Sequence, residues 1–227
     1  PKPRGFATRQ LHAGAGLPER VQPRATPIYL TAGFVLDDFD RAADHFATGD
    51  GFSYTRVGNP TAEAVERRIA DLEGGADALL VGSGQAAVAI ALLGLGQAGE
   101  HIVSASSIYE GSRGFLTENL SRLGIATSFI ADAGDLAVWE SAILPTTRAL
   151  FAESIPNPKN DLVDIAALAG IAHAHGIPLV IDNTLATPYL LRPIEHGADI
   201  VVHSASKFLA GHGSVLGGVI VDNGLFD

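Results

Sequence analysis

From residue 77 onward, short apolar runs alternate with stretches of helical period. This alternation constrains the fold more than any other feature of the chain. The runs are DALLVGS (77–83), HIVSAS (101–106), ATSFIAD (126–132), RALFAES (148–154), PLVIDNT (178–184), DIVVHSAS (199–206) and LGGVIVD (216–222). They are apolar on consecutive positions, the pattern of strands buried on both faces. Between them the sequence predicts helices over 84–95, 110–122, 135–142, 163–175 and part of 190–196. In the fourth, Ile165, Leu168, Ala169 and Ala172 recur at i, i+3, i+4 and i+7 behind Asp164, which gives one apolar stripe to lay on a sheet. The expected fold is therefore α/β, a mainly parallel seven-stranded sheet with helices on both faces. Ligands of such sheets bind at the carboxyl ends of the strands.

Residues 1 to about 50 read as irregular, punctuated by Pro1, Pro3, Pro18, Pro23 and Pro27. Regular structure is expected to start with a helix from Pro60, capped by Asn59 and continuing over Thr61 to Glu73. The expected division is an extended N-terminal segment over 1–55 and a large domain over 56–227.

Composition bounds the function. The chain of 227 residues is 47% hydrophobic and 18% charged, enough for a sizeable core. Its formal net charge of −10 argues against nucleic-acid binding. No apolar run is long enough to cross a bilayer, and the polar, basic first residues are not a signal peptide. The absence of cysteine removes disulfides, thiolate metal sites and a cysteine nucleophile, and suits a cytoplasmic protein. There is no methionine, so the chain is expected to begin after processing or to be part of a longer one.

Three segments carry candidate chemistry. LLVGSGQAAVAIAL (79–92) is a strand, a Gly–Ser–Gly turn and a helix, so the amides of Gly84 and Gln85 at the helix start could hold a phosphate. The dinucleotide fingerprint would need an acid about twenty residues on, and positions 103 to 107 read Val-Ser-Ala-Ser-Ser. A tight turn without a ligand is the bland alternative. Asp182 ends an apolar run and is expected to meet a cation or donor, unless it is a simple cap. Lys207 is one of only three lysines, with Lys2 and Lys159, and follows an apolar run with no carboxylate near it in sequence. A lysine partly withdrawn from water has its pKa lowered and can attack a carbonyl; alternatively its stem packs and its ammonium snorkels. Ser204 and Ser206 could bind a phosphate or merely end a strand. Together a phosphate site, a strand-end aspartate and an isolated lysine are the parts that pyridoxal phosphate requires. His173 and His175 lie two apart on a helix and make a poor metal pair, and no metal is expected. His203 reads as a hydrogen-bonded core histidine.

The segments YTRVGNPT, LEGG, GSGQAA, ESIPNP, DIAALAGIAHAHG, DNTLATPYLLRPIEHGADIVVHSASKFLAGHG and GGVIVD, in this order, resemble the pyridoxal phosphate-dependent enzymes of Cys/Met metabolism. TRQLHAG, GHGSVLGG and GGVIVDNGLFD make the chain most similar to the O-acetylhomoserine sulfhydrylase branch. The resemblance implies the large domain of the aminotransferase-like fold type I. It implies a Schiff base between Lys207 and pyridoxal 5′-phosphate, with Lys207 also moving protons, and Asp182 on the pyridine nitrogen. It implies Gly84, Gln85, Ser204 and Ser206 on the phosphate, Tyr109 stacked on the ring and Asn157 near the ring hydroxyl or the substrate. Tyr54 and Arg56 would reach the phosphate of a neighbouring subunit, so the N-terminal segment would contact that subunit in a homodimer or tetramer. The implied reaction is γ-replacement on O-acetyl-L-homoserine with sulfide, giving L-homocysteine and acetate. A methionine or cystathionine γ-lyase, an O-succinylhomoserine enzyme and a catalytically silent assembly subunit are the alternatives. Two positions depart from the family pattern: Ser206 stands where threonine is common, and Glu110 where glycine usually follows the tyrosine. Family members also continue into a small C-terminal domain that this chain lacks, so an exposed apolar patch is expected where that domain would dock.

Overall fold

The structure, a computed structural model, describes residues 4–14 and 24–226. Lys2, Pro1, Pro3, Pro18 and Pro23 lie outside the described residues. The chain divides into two compact units, Pro1–Arg68 and Ile69–Asp227.

The second unit contains seven strands: β1 (Asp77–Val81), β2 (His101–Ala105), β3 (Ala126–Ile130), β4 (Thr147–Glu153), β5 (Leu179–Asp182), β6 (Ile200–Ser204) and β7 (Gly218–Asp222). They form one sheet in the order β1-β7-β6-β5-β4-β2-β3. The pairs from β6 through β3 are parallel, and β7 runs antiparallel to both β6 and β1. All five residues of β2 are buried, as are the last five of β4. Successive strand side chains point to opposite faces, so both faces of the sheet centre are covered, as the consecutive apolar runs predict.

In chain order the described helices are α1 (Phe6–His12), α2 (Phe39–Thr48), α3 (Pro60–Glu73), α4 (Gly84–Leu95), α5 (Glu110–Gly114), α6 (Leu136–Ala142), α7 (Ile165–Ala174) and α8 (Thr187–Leu190). α5 runs on into a π-helical turn over Phe115–Leu120, and a 3-10 turn spans Pro193–His196. α4 packs on β6 and β7, and α7 on β4 and β5. The buried face of α7 is the expected stripe of Ile165, Leu168, Ala169 and Ala172, and the Asp164 side chain accepts from the Ala167 N–H at 3.0 Å. Asn59 caps α3 as expected, accepting from the Thr61 N–H at 2.8 Å.

Two helices correct the irregular reading of residues 1 to 50. α2 starts where the Asp38 side chain accepts from the Arg41 N–H at 2.8 Å, and ends at Gly49 in the left-handed region (φ 77°). Cap and stop were both in the sequence, but the prolines masked them. The first unit carries large apolar side chains in the open: Ile28, Leu30, Val35, Phe39 and Phe46 are each at least 75% exposed. In the second unit Tyr189, Leu190, Phe208, Val215 and Leu216 are exposed.

Candidate active site

The carboxyl ends of β1, β4, β5 and β6 and the loop after β2 converge on one cavity of about 410 Å³. Eight of the expected site residues line it: Gly84, Gln85, Tyr109, Asn157, Asp182, Ser204, Ser206 and Lys207. Tyr54 and Arg56 do not; they belong to the first unit, where the Arg56 guanidinium lies 5.2 Å from the Tyr54 ring centre.

The start of α4 supplies the donors. The Ser83 side chain accepts from the Ala86 N–H at 3.1 Å, and its carbonyl from the Ala87 N–H at 3.0 Å. The amides of Gly84 and Gln85 are then the ones a helix start leaves for an external acceptor, at the positive end of the helix dipole. A Cβ on Gly84 would meet the Ser204 side chain at 2.5 Å, and one on Gly218 would sit 2.0 Å from the Ser83 carbonyl. These two glycines let the helix start seat itself against the ends of β6 and β7.

Asp182 ends β5 half-buried and lines the cavity. Its Oδ1 accepts from the Thr184 N–H at 2.9 Å and the Thr184 hydroxyl at 2.5 Å. Burial pushes its carboxyl up, against the pull of the Thr184 bonds and of the His203 charge. The Thr184 oxygen also accepts from the Ser204 N–H at 2.8 Å, which ties β5 to β6 beside the cavity.

Sequence reasoning missed Thr184, and it missed Glu153. Glu153 ends β4 next to Asp182, its register partner on β5. It is buried, and its two oxygens reach different loops: Oε1 accepts from the Tyr109 N–H at 2.6 Å and Oε2 from the Asn157 N–H at 3.2 Å. Burial first, and the Asp182 charge second, raise its pKa to about 7 against the opposing pull of the two amides. Glu153 stands one residue before the end of RALFAES, a carboxylate in an apolar run as Asp182 is in PLVIDNT, but nothing in that segment names the loops it holds.

Lys207 lies at the cavity and is exposed, against the expectation that it is partly withdrawn from water: it sits in the turn after β6, beyond the cover of the sheet. No ion pair engages it among the described residues, which agrees with the lack of a nearby carboxylate in the sequence. The Tyr109 ring folds back over Gly111, where a Cβ would stand 2.5 Å from its Cε1 and 3.0 Å from Gln85 Oε1. Ser206 lines the cavity, but its hydroxyl accepts from the Gly217 N–H at 3.0 Å and donates to the Gly217 carbonyl at 3.3 Å.

Beneath the site His203 and Glu73 are fully buried and joined at 2.5 Å, Nε2 to Oε1. Asn183 donates to the same Glu73 oxygen at 3.0 Å. His203 is thus the core histidine expected. His173 and His175 pair separately, with Asp199 and Glu140, and no group of metal-ligating side chains occurs among the described residues.

Helix-start amides, a strand-end carboxylate and a primary amine around one cavity fit the phosphate, ring nitrogen and aldehyde of pyridoxal phosphate. The family described as Cys/Met metabolism PLP-dependent enzymes matches residues 7–227. The chain belongs to this family. An O-acetyl-L-homoserine sulfhydrylase of Corynebacterium glutamicum is 47% identical, over 98% of this chain and 51% of that protein. An L-methionine gamma-lyase of Porphyromonas gingivalis is 44% identical, over 96% of this chain and 54% of its own length. A Campylobacter jejuni structure, described as a putative O-acetylhomoserine (thiol)-lyase with N′-pyridoxyl-lysine-5′-monophosphate, superposes with a TM-score of 0.94 at 34% identity. That superposition covers 99% of this chain and 55% of that one. The chain thus spans about half the length of the relatives it matches, and its fold is that of their fold type I enzymes. No described helix is long and apolar enough to cross a membrane.

Proposed function

We propose that the chain carries the pyridoxal phosphate site of a transferase that exchanges the γ-acetoxy group of O-acetyl-L-homoserine for sulfide, giving L-homocysteine and acetate. The observation that carries the reading is the meeting of Gly84, Gln85, Asp182 and Lys207 around one cavity in a sulfhydrylase-like sequence. Bound there, pyridoxal phosphate would supply an electron sink for the substrate's α-carbon.

The chain's residues divide the remaining work. The Gly84 and Gln85 amides bind the phosphate, and the Ser204 hydroxyl adds a donor. Ser206 can join by turning its proton from the long Gly217 carbonyl bond, while still accepting from the Gly217 amide. Asp182 keeps a proton on the pyridine nitrogen. Lys207 holds the aldehyde carbon and moves the α-proton through its Nζ. Tyr109 stacks on the ring and assists departure of the leaving group, and Asn157 approaches the ring hydroxyl. Tyr54 and Arg56 would complete the phosphate site of a neighbouring copy, in a homodimer or tetramer. The exposed apolar side chains of the first unit support burial against such a copy. A cytoplasmic location suits an acidic chain without cysteine.

The methionine γ-lyase relative supports a second reading, elimination at the same site in which the γ-carbon–sulfur bond breaks, methanethiol leaves, and water releases 2-oxobutyrate and ammonia. Two experiments on full-length protein test these readings. Borohydride after addition of pyridoxal phosphate should fix a pyridoxyl group on the Lys207 peptide; labelling elsewhere sinks the site. Homocysteine formed from O-acetyl-L-homoserine and sulfide faster than 2-oxobutyrate is released from methionine supports replacement, and the reverse order supports the lyase.

A further inference from the structure

The site contains a carboxylate that the proposed chemistry does not use. Glu153 is buried at the end of β4, and each of its oxygens holds one backbone amide: Tyr109 at 2.6 Å on the loop after β2, and Asn157 at 3.2 Å on the loop after β4. Each of those loops carries a side chain that lines the cavity. No other described hydrogen bond links Tyr109 to the β4 end. We propose that Glu153 is a positioning residue that spaces the Tyr109 and Asn157 walls to the width of the cofactor ring, and that it does so only as a carboxylate.

Charge-assisted bonds from two amides to one carboxylate are short and directional, so both loops take their position from the end of a rigid strand. A protonated carboxyl can accept well through one oxygen only, because the other has become a donor facing an N–H. One wall is then released. What opposes ionisation is also visible: Glu153 and Asp182 are register partners on adjacent parallel strands, so two negative charges compete for one enclosed end of the sheet. The remaining titratable groups lining the cavity are the Tyr109 hydroxyl and Lys207, with His203 acting on Asp182 from beneath. A cation brought against Asp182, as a protonated pyridine would be, offsets that repulsion and favours the charged form of Glu153. Cofactor binding and clamping of the two walls would then reinforce one another. Glu153 titrates near neutrality before the cofactor arrives, so the coupling falls in the physiological range.

The inference rests on the cofactor reading, and the experiment separates the two. Pyridoxal phosphate is titrated into full-length wild type and Glu153→Gln between about pH 6 and pH 8, following the visible circular dichroism of the bound cofactor. Wild-type affinity should rise with pH across that range. The substituted side chain offers one acceptor oxygen to two backbone amides, so the variant should bind about tenfold more weakly at the upper pH. It should show a shallower pH dependence than wild type and a smaller dichroic signal per bound cofactor. A variant that only melts earlier, with wild-type affinity, pH profile and dichroism, overturns the proposal. A wild type that binds no cofactor overturns the reading of the site instead. A second measurement needs no variant: amide exchange at Tyr109 and Asn157 in cofactor-free wild type. Corrected for the chemical rate, protection of at least one of the two amides should fall from about pH 8 to about pH 6 as the carboxylate takes its proton. Unchanged protection of both amides also overturns the proposal.

Discussion

Gly84 and Ser204 compete for one space: a Cβ on Gly84 would stand 2.5 Å from the Ser204 Cβ and 2.7 Å from its Cα. No side-chain rotation relieves a clash with Cα, so the helix start or the end of β6 must move. Gly84→Ala should therefore cost about 1–3 kcal/mol of stability, the range for overpacking. It should cost more in function, because the displaced amides are the proposed phosphate donors. Pyridoxal phosphate affinity should fall at least about tenfold. Thermal melts and cofactor titrations of the same preparation check both.

Asp182 and its bonds to Thr184 separate folding from function. Burial pushes its carboxyl up, so the charge is a cost to the cofactor-free fold. Asp182→Asn keeps an oxygen for the Thr184 donors and removes that cost. The variant should melt no lower than wild type without cofactor, yet lose activity by about a hundredfold or more through loss of a charge aimed at the ring nitrogen. A melting temperature that drops together with activity would point to a structural aspartate.

The sequence made the sheet legible because doubly buried strands cannot alternate in polarity, and each of the seven observed strands falls on an apolar run with bounds that differ by at most two residues. Lys207, Asp182 and the Gly84–Gln85 turn were legible because each is anomalous in its own segment. Glu153 is anomalous in the same way, but its role was not legible, and neither was that of Thr184. Their roles depend on β4 lying beside β5 and β5 beside β6, neighbours that local pattern does not specify. Glu73 and His203 are 130 positions apart and meet only through the order of the strands. In α2 the failure was different, since Asp38 and Gly49 were visible as cap and stop while the nearby prolines suggested an irregular chain.

Stability of the cofactor-free protein should carry the signature of Glu153. Its carboxyl titrates at about 7 when folded, against a reference of 4.5 for an unperturbed glutamate. Between those values the folded state keeps a proton that the unfolded state has released. The contribution of Glu153 to stability is therefore full below about pH 4.5, falls as pH rises through the window, and levels off above about pH 7. The fall amounts to about 3 kcal/mol. Glu153→Gln should remove that slope. Denaturant unfolding followed by the fluorescence of Trp139, the only tryptophan and fully buried, measures it. Equal slopes in the two proteins would show that Glu153 does not titrate in this range.

The Glu73–His203 pair should be among the costliest places to cut. Both side chains are fully buried, and Asn183, next to Asp182 in the chain, hangs on the same Glu73 oxygen. His203→Ala removes the Nε2 partner and leaves the buried Glu73 oxygen with Asn183 alone, which should cost about 3–5 kcal/mol. Glu73→Ala strands His203, leaves the Asn183 amide with the Leu191 carbonyl alone, and should cost a similar amount. The double variant should cost less than the two losses added, with a coupling of about 1–3 kcal/mol, because each single change already leaves its partner unpaired. The effect should also reach the cavity: without His203, whose charge lowers the Asp182 carboxyl, Asp182 holds its proton to higher pH. Cofactor affinity at neutral pH should then drop and recover as pH is raised. Additive unfolding energies, or a cofactor affinity that ignores pH in His203→Ala, would mean that the two residues fill space without supporting the site.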